Sequence, residues 1–134
     1  MTLSELKVKF PDATEETWHQ HSNGGGWVQN TATVATTAYV GPDALVFGYA
    51  WVFGKAVVSD SARVFGYAWV FGYAMVFGDA MVYGKAWVYD NASVFGDALV
   101  FGDVRVFGYA MVSGSANVFG DTRVSGEARV YGDA

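Results

Sequence analysis

A strict six-residue pattern of apolar and glycine positions runs through the chain from Trp27 to the last residue. Valine holds the same position in 18 consecutive repeats, alanine stands two residues before it in nearly all of them, and glycine stands two residues after it in 13. The repeating unit is therefore Ala-x-Val-x-Gly-x. Because residues two apart on a strand point to the same side, Ala and Val face one way and the residue between them faces the other.

Glycine marks the corners between very short strands. Asn30, Asp60 and Asp90 replace it in three repeats, and these residue types also tolerate a left-handed backbone. A helix cannot keep a period of six with glycine at each corner, and a hairpin meander needs longer strands and paired turn signals. The pattern therefore predicts an all-β coil of parallel strands, in which successive turns stack around a narrow interior of Val and Ala.

These repeats, for example Val70-Phe71-Gly72, resemble those of the hexapeptide-repeat proteins, which form left-handed parallel β-helices with three hexads per triangular turn. The Val-x-Gly spacing resembles the transferase-like Val-x-Gly-Asp-Ala subgroup more than the characterised sugar acyltransferases. The resemblance implies a single-stranded left-handed β-helix of about six turns over residues 27–134. It also implies that the protein is a homotrimer.

Residues 1–26 lack the repeat and are predicted to form an irregular, partly helical cap. A short helix is expected to begin at Asp12, and Gly24-Gly25-Gly26 is expected to end the segment. A coil leaves unpaired strand edges at both ends, so the cap would cover one of them. At the other end, three alternatives stay open beyond Ala134: protection by the charges of the last turns, an end-to-end hexamer of two trimers, or further chain.

With three hexads per turn, the outward-facing strand residues form three columns whose members are 18 positions apart. The first column reads Thr33, Trp51, Trp69, Trp87, Arg105 and Arg123. The others read Trp27, Leu45, Arg63, Met81, Leu99 and Asn117, and Tyr39, Val57, Met75, Ser93, Met111 and Arg129. Aromatic residues also follow the valines at the corners, namely Phe47, Phe65, Tyr83, Phe101 and Phe119, then Phe53, Phe71, Tyr89 and Phe107, then Phe77 and Phe95. Since Val and Ala fill the interior, most of these rings are expected outside, where they mark a partner surface.

Two interpretations of the aromatic columns stay open. In the first, the rings support the stack and are buried between subunits of a homo-oligomer, for which the resemblance favours a trimer. In the second, Trp51, Trp69, Trp87, Arg105 and Arg123 bind a planar anion such as a nucleotide or an acidic sugar. Aromatic and guanidinium groups side by side suit such a ligand.

His19 and His21 are the candidates for catalysis, and both lie in the cap. The family's acyltransferases use a histidine as general base near an inter-subunit groove, and its carbonic-anhydrase-like branch uses three histidines on zinc. Neither pattern carries over, because both histidines precede the coil and the chain has no third histidine for a zinc site. A structural role, with the rings hydrogen-bonded to backbone, is the alternative.

Asp79 and Asp97 are the candidates for a metal site. They belong to the column that follows the glycines at one corner, which reads Asp43, Ser61, Asp79, Asp97, Ser115 and Asp133. Stacked carboxylates can hold Ca²⁺, but two of them with flanking serines fall short of its full oxygen shell. The alternative is a solvated corner that keeps the protein soluble.

Composition and charge narrow the classes of function. The chain contains no cysteine, which excludes disulfides and thiolate sites, and its net charge of -5 argues against general nucleic-acid or membrane-surface binding. No apolar stretch is long enough to span a membrane and no signal peptide is recognisable, so a cytoplasmic location is expected.

The repeats contain no catalytic constellation, so the first hypothesis is a non-enzymatic trimeric β-helical scaffold or ligand-binding protein that needs no cofactor. Its aromatic and Arg columns would lie at subunit interfaces. One alternative is a phage or bacterial protein that sequesters a nucleotide-like molecule or an acidic sugar in an inter-subunit groove. The other is an acyltransferase-like enzyme that uses a CoA derivative with His19 or His21 as the base.

Overall fold

The computed structural model describes all 134 residues and shows one short helix followed by a coil of very short strands. The elements are α1 (Leu3–Lys9), β1 (Trp18–Gln20), β2 (Trp27–Gln29), β3 (Thr33–Val34), β4 (Tyr39–Val40), β5 (Leu45–Val46), β6 (Trp51–Val52), β7 (Val57–Val58), β8 (Arg63–Val64), β9 (Trp69–Val70), β10 (Met75–Val76), β11 (Met81–Val82), β12 (Trp87–Val88), β13 (Ser93–Val94), β14 (Leu99–Val100), β15 (Arg105–Val106), β16 (Met111–Val112), β17 (Asn117–Val118), β18 (Arg123–Val124) and β19 (Arg129–Val130). The helix is too short to cross a membrane, and no other helix is present.

The strands of the repeat form three parallel sheets, which are the three sides of the coil. Sheet A contains β2, β5, β8, β11, β14 and β17; sheet B contains β3, β6, β9, β12, β15 and β18; sheet C contains β4, β7, β10, β13, β16 and β19. Each residue pairs with the residue one turn later, as Trp51 does with Trp69 and Trp69 with Trp87. The predicted coil of three hexads per turn is confirmed, whereas its left hand stays a prediction from the resemblance.

Val and Ala of the repeats fill the interior of the coil. Every repeat alanine and valine from Ala38 to Val112 is completely buried, and so is Val104, which takes the place of an alanine. Branched Val suits the strand, and small Ala lets the three sheets approach closely at the density of a protein interior. This core, together with backbone hydrogen bonds from each turn to the next, holds the coil together.

The corners require a left-handed backbone. Gly84 has a φ of +69°, and a Cβ there would lie 2.7 Å from the backbone nitrogen of Gly102 in the next turn. Asp60 and Asp90 adopt φ values of 55° and 58° at two corners where other repeats have glycine. The Oδ2 atom of Asp90 accepts a 3.1 Å hydrogen bond from the backbone N–H of Gly108 in the next turn. The side chain therefore compensates for the unfavourable backbone conformation.

We expect Asp90→Ala to lower the free energy of unfolding by about 1–3 kcal/mol, because it loses this charge-assisted hydrogen bond, while the strain of a Cβ in the left-handed region is the same as in the wild type. Asp90→Gly loses the same hydrogen bond but removes the backbone strain, so its loss should be smaller. Urea denaturation followed by circular dichroism measures both variants. Equal losses would show that the backbone conformation at Asp90 carries no cost.

The helix of the cap lies elsewhere than predicted. Helix α1 precedes Pro11, and the residues after Pro11 form turns, so the expected helix start at Asp12 is wrong. A capping box determines the actual start, since Thr2 Oγ1 accepts from Glu5 N–H at 3.2 Å and Glu5 Oε1 accepts from Thr2 N–H at 3.0 Å. The backbone hydrogen bond from Thr2, with its side-chain contact, lowers the pKa of Glu5 below its usual range.

The cap covers strand edges of the first turn, as predicted. Strand β1 pairs antiparallel with β2 at the edge of sheet A. At the edge of sheet C, Val40 N–H donates to the carbonyl of Asn23 at 3.0 Å, and Gly26 N–H donates to the carbonyl of Val40 at 2.9 Å. A second, smaller core that includes Leu6 and Trp18 fixes the cap to the coil. Two of the three sheets are thus closed at this end.

Candidate functional site

Three tryptophans stack along the outer surface of sheet B. Trp51, Trp69 and Trp87 occupy the same position in β6, β9 and β12. The ring centroids of Trp51 and Trp69 are 5.3 Å apart, and those of Trp69 and Trp87 are 4.8 Å apart with planes only 2° from parallel. Since paired strands are about 4.8 Å apart, the strand spacing of the coil sets the spacing of the rings.

Arginine continues this column. The guanidinium carbon of Arg105 lies 4.2 Å from the ring centroid of Trp87, which is cation–π geometry. Arg123 pairs with Arg105 in register one turn further on and is exposed. We call Trp51, Trp69, Trp87, Arg105 and Arg123 the Trp–Arg ladder. The structure thus brings the five predicted ligand-binding residues into one column.

A second column of rings runs beside the Trp–Arg ladder at the corner between sheets B and C. Its members are Phe53, Phe71, Tyr89 and Phe107, which stack at centroid distances of 4.7 to 5.1 Å. These rings meet the tryptophans edge to face, as Phe71 does with Trp87 at 5.9 Å and 76°. Both arrangements are favourable for aromatic pairs. The rings lie outside the coil, as predicted, but they are half-buried against one another.

The stacking decides which parts of the tryptophans a partner can reach. A centroid distance of 4.8 Å leaves no room for another ring between Trp69 and Trp87, so their faces are closed and their edges point outward. Neither indole N–H donates to an acceptor within the chain. Because no buried side-chain nitrogen lacks a partner, both N–H groups reach the surface. Binding of a planar anion stays a prediction. Within the ladder, only Trp51 has an indole face that is covered neither by another ring nor by a guanidinium.

Both candidate histidines are hydrogen-bonded. His19 Nδ1 lies 2.6 Å from the amide oxygen of Asn30 and donates to it, and Nε2 makes no hydrogen bond within the chain and lies on an exposed side chain. His21 is buried, and its Nε2 donates to the carbonyl of Ala38 at 2.8 Å. His21 therefore ties the cap to the first turn. His19 has one ring nitrogen, Nε2, without a partner in the chain.

Asp79 and Asp97 lie one turn apart on the corner between sheets C and A, as predicted. Both side chains are exposed. No group of three or more His, Asp or Glu residues is placed to hold a metal ion. The chain's one salt bridge joins the N-terminus to Asp43 of the same column at 3.3 Å. Asp79 and Asp97 therefore have no ion-pair partner within the chain.

A pair of stacked tyrosines beside the Trp–Arg ladder was not singled out from the sequence. Tyr49 and Tyr67 stack at 5.5 Å on the corner between sheets A and B, and 55% and 58% of their surfaces are exposed. The signal was present, because both residues follow a corner glycine and are 18 positions apart. The same corner also carries the predicted stack of Phe47, Phe65, Tyr83, Phe101 and Phe119, so aromatic rings flank the Trp–Arg ladder on both sides.

Comparison with known proteins finds no match to this chain among family models, curated proteins or solved structures. The parallel β-coil is therefore known from the structure itself. Its likeness to the hexapeptide-repeat family stays a resemblance in the repeat pattern.

Proposed function

We propose that this protein is a non-enzymatic β-helical scaffold of the hexapeptide-repeat type that assembles with copies of itself through the outer surface of sheet B. The observation that carries the proposal is the unbroken stack of Trp51, Trp69 and Trp87 on one side of the coil. Tryptophan and arginine are the residue types most enriched among interface residues that dominate binding energy. A rigid stack also loses little side-chain entropy when a partner covers it.

The other two sides of the coil support this choice of surface. The column on sheet A is interrupted by Arg63 and ends in Asn117, and the column on sheet C contains Ser93 and ends in Arg129. Neither of these sides carries a run of three stacked rings on its strands. What distinguishes sheet B is therefore the continuous row of stacked rings that its strands present to a partner.

Light scattering and sedimentation test the proposal. We expect the wild-type protein to associate in a concentration-dependent way and Trp51→Glu to weaken association by at least about tenfold, as for an interface residue that dominates binding. Trp51 lies at the end of the stack, so its replacement disturbs the coil less than that of Trp69. A wild-type protein that stays monomeric at all concentrations would refute the proposal.

Met75→Glu is the matched control. Met75 occupies the equivalent position of the repeat on sheet C, and its exposed fraction is 46% against 44% for Trp51. Both variants introduce the same charge, and circular dichroism verifies that both are folded. We expect Met75→Glu to associate like the wild type. If it weakens association as much as Trp51→Glu, sheet B is not the interface.

A further inference from the structure

The Trp–Arg ladder is a column of hydrogen-bond donors that lack good acceptors in their own chain. The indole N–H groups of Trp69 and Trp87 are unpartnered and reach the surface. Arg105 makes only long contacts of 3.3 and 3.4 Å with backbone carbonyls. The exposed edges of aromatic rings are also electropositive. A partner that covers this column must therefore present acceptors or negative charge.

A symmetric contact between two ladders does not satisfy this requirement. If the sheet B surfaces of two copies faced each other, N–H groups and guanidinium groups would meet other donors. Each donor left unpaired in such an interface costs desolvation free energy. The ladder therefore favours a different surface as its partner.

One corner of the same chain carries an acceptor in every turn. We call it the acceptor corner, between sheets C and A, and its residues are Asp43, Ser61, Asp79, Asp97, Ser115 and Asp133. The equivalent positions at the other two corners include lysines and tyrosines, namely Tyr49, Tyr67 and Lys85 at one and Lys55, Tyr73 and Tyr109 at the other. Of the three corners, only the acceptor corner therefore offers the ladder a hydrogen-bond acceptor in every turn.

Donors and acceptors have the same spacing because both columns have one member per turn. When two copies lie side by side with parallel axes, Trp69 of one copy and Asp79 of the next are less than one turn apart along the axis. In the following turn Trp87 meets Asp97, and in the last turn Arg123 meets Asp133. N–H groups that donate to carboxylates form charge-assisted hydrogen bonds, which are stronger than neutral ones.

We infer that copies of this protein associate face to corner, with the Trp–Arg ladder of one copy donating to the acceptor corner of the next. The inference rests on the self-association proposed above. The chain passes from sheet A to B to C and back to A, so the acceptor corner lies opposite sheet B. Each copy thus binds one neighbour on each side, and the contact does not close a pair or a trimer. Such a heterologous contact produces an open row of parallel coils.

The double variant Asp79→Lys/Asp97→Lys tests the acceptor corner. Lysine occurs at this repeat position in the native chain as Lys55 and Lys85, so the variant should fold. We expect its association to be weaker than that of the wild type by at least about tenfold, because cations then face donors. The control Glu15→Lys/Glu16→Lys makes the same charge change at exposed positions of the cap, outside both the ladder and the acceptor corner, and should associate like the wild type.

Mixing two impaired variants gives the decisive measurement. Trp51→Glu damages the ladder but keeps the acceptor corner, whereas Asp79→Lys/Asp97→Lys damages the corner but keeps the ladder. At the lowest concentration where the wild type associates, each variant alone should sediment as a monomer, and an equimolar mixture should form a species of twice the monomer mass and nothing larger. A small amount of the double variant should also shorten wild-type rows, because it ends each row that it joins.

Three results would overturn the face-to-corner contact and leave the scaffold proposal intact. They are a double variant that associates like the wild type, a mixture that stays monomeric, and a wild-type assembly that stops at a trimer. A monomeric wild type overturns both.

Discussion

Gly84→Ala is expected to lower the free energy of unfolding by about 2–5 kcal/mol, a large fraction of the stability of a domain of this size. Gly84 has a φ of +69°, and an added Cβ would lie 2.7 Å from the backbone nitrogen of Gly102. That nitrogen belongs to the next turn of the coil and cannot move without stretching hydrogen bonds between turns. The variant therefore suffers backbone strain and a steric clash together.

Two other glycines separate the strain from the clash. Gly126 and Gly25 have φ values of +64° and +80°, and a Cβ on either would meet no atom within 4 Å. Their alanine variants should lose only the strain, about 1–2 kcal/mol. Thermal and urea unfolding of the three variants, followed by circular dichroism, gives the comparison. If Gly84→Ala loses no more than Gly25→Ala, close approach between turns does not restrict the corners.

Trp69→Ala should destabilise the folded chain by about 2–4 kcal/mol through the loss of its ring contacts. The Trp69 ring stacks on Trp51 and Trp87 and also meets Phe53 at 5.8 Å and Phe71 at 6.4 Å edge to face. It is therefore the most connected ring on the outer surface of sheet B. Unfolding must be measured at protein concentrations where light scattering shows monomers, because association also stabilises the folded state.

Trp51→Ala is the matched variant at the end of the stack. Trp51 stacks on one indole only, and 44% of its surface is exposed. Its loss should be about 1–2 kcal/mol, since fewer ring pairs are broken. If both variants lose the same free energy, the stack does not stabilise the coil and each ring contributes independently.

The coil and its columns follow from the sequence because one short period determines several features at once. Ala and Val in alternation can bury only one side of a strand, and the glycine two residues later fixes the corner. Stacking then places residues 18 positions apart in contact, which is why Trp51, Trp69 and Trp87 meet as predicted. The hand of the coil does not follow from the period, since either hand keeps the same residues inside.

The repeat pattern does not predict where the cap helix lies or how the ladder side chains are oriented, and the reason differs from that for the hand of the coil. The start expected at Asp12 competes with the capping box of Thr2 and Glu5, and tertiary contacts support the capping box: Leu6 is buried, and the Trp27 indole N–H donates to the carbonyl of Met1 at 2.9 Å. Likewise, the period predicts which residues share a column but not how each side chain turns. Arg105 folds over Trp87 because a guanidinium gains by covering an indole face.

The uniform interior also leaves the chain poorly protected against slipping by one whole turn. A shift of 18 positions puts Val on Val in every repeat and Ala on Ala in most of them, so the core itself scarcely distinguishes the native pairing from a shifted one. Residues that break the repeat must make that distinction. Leu6 and Trp18 of the cap share a small core with Leu45, which is completely buried, and the equivalent residue one turn later is Arg63, which a slipped chain would place in that core. The cap is thus the reference from which all later turns take their alignment.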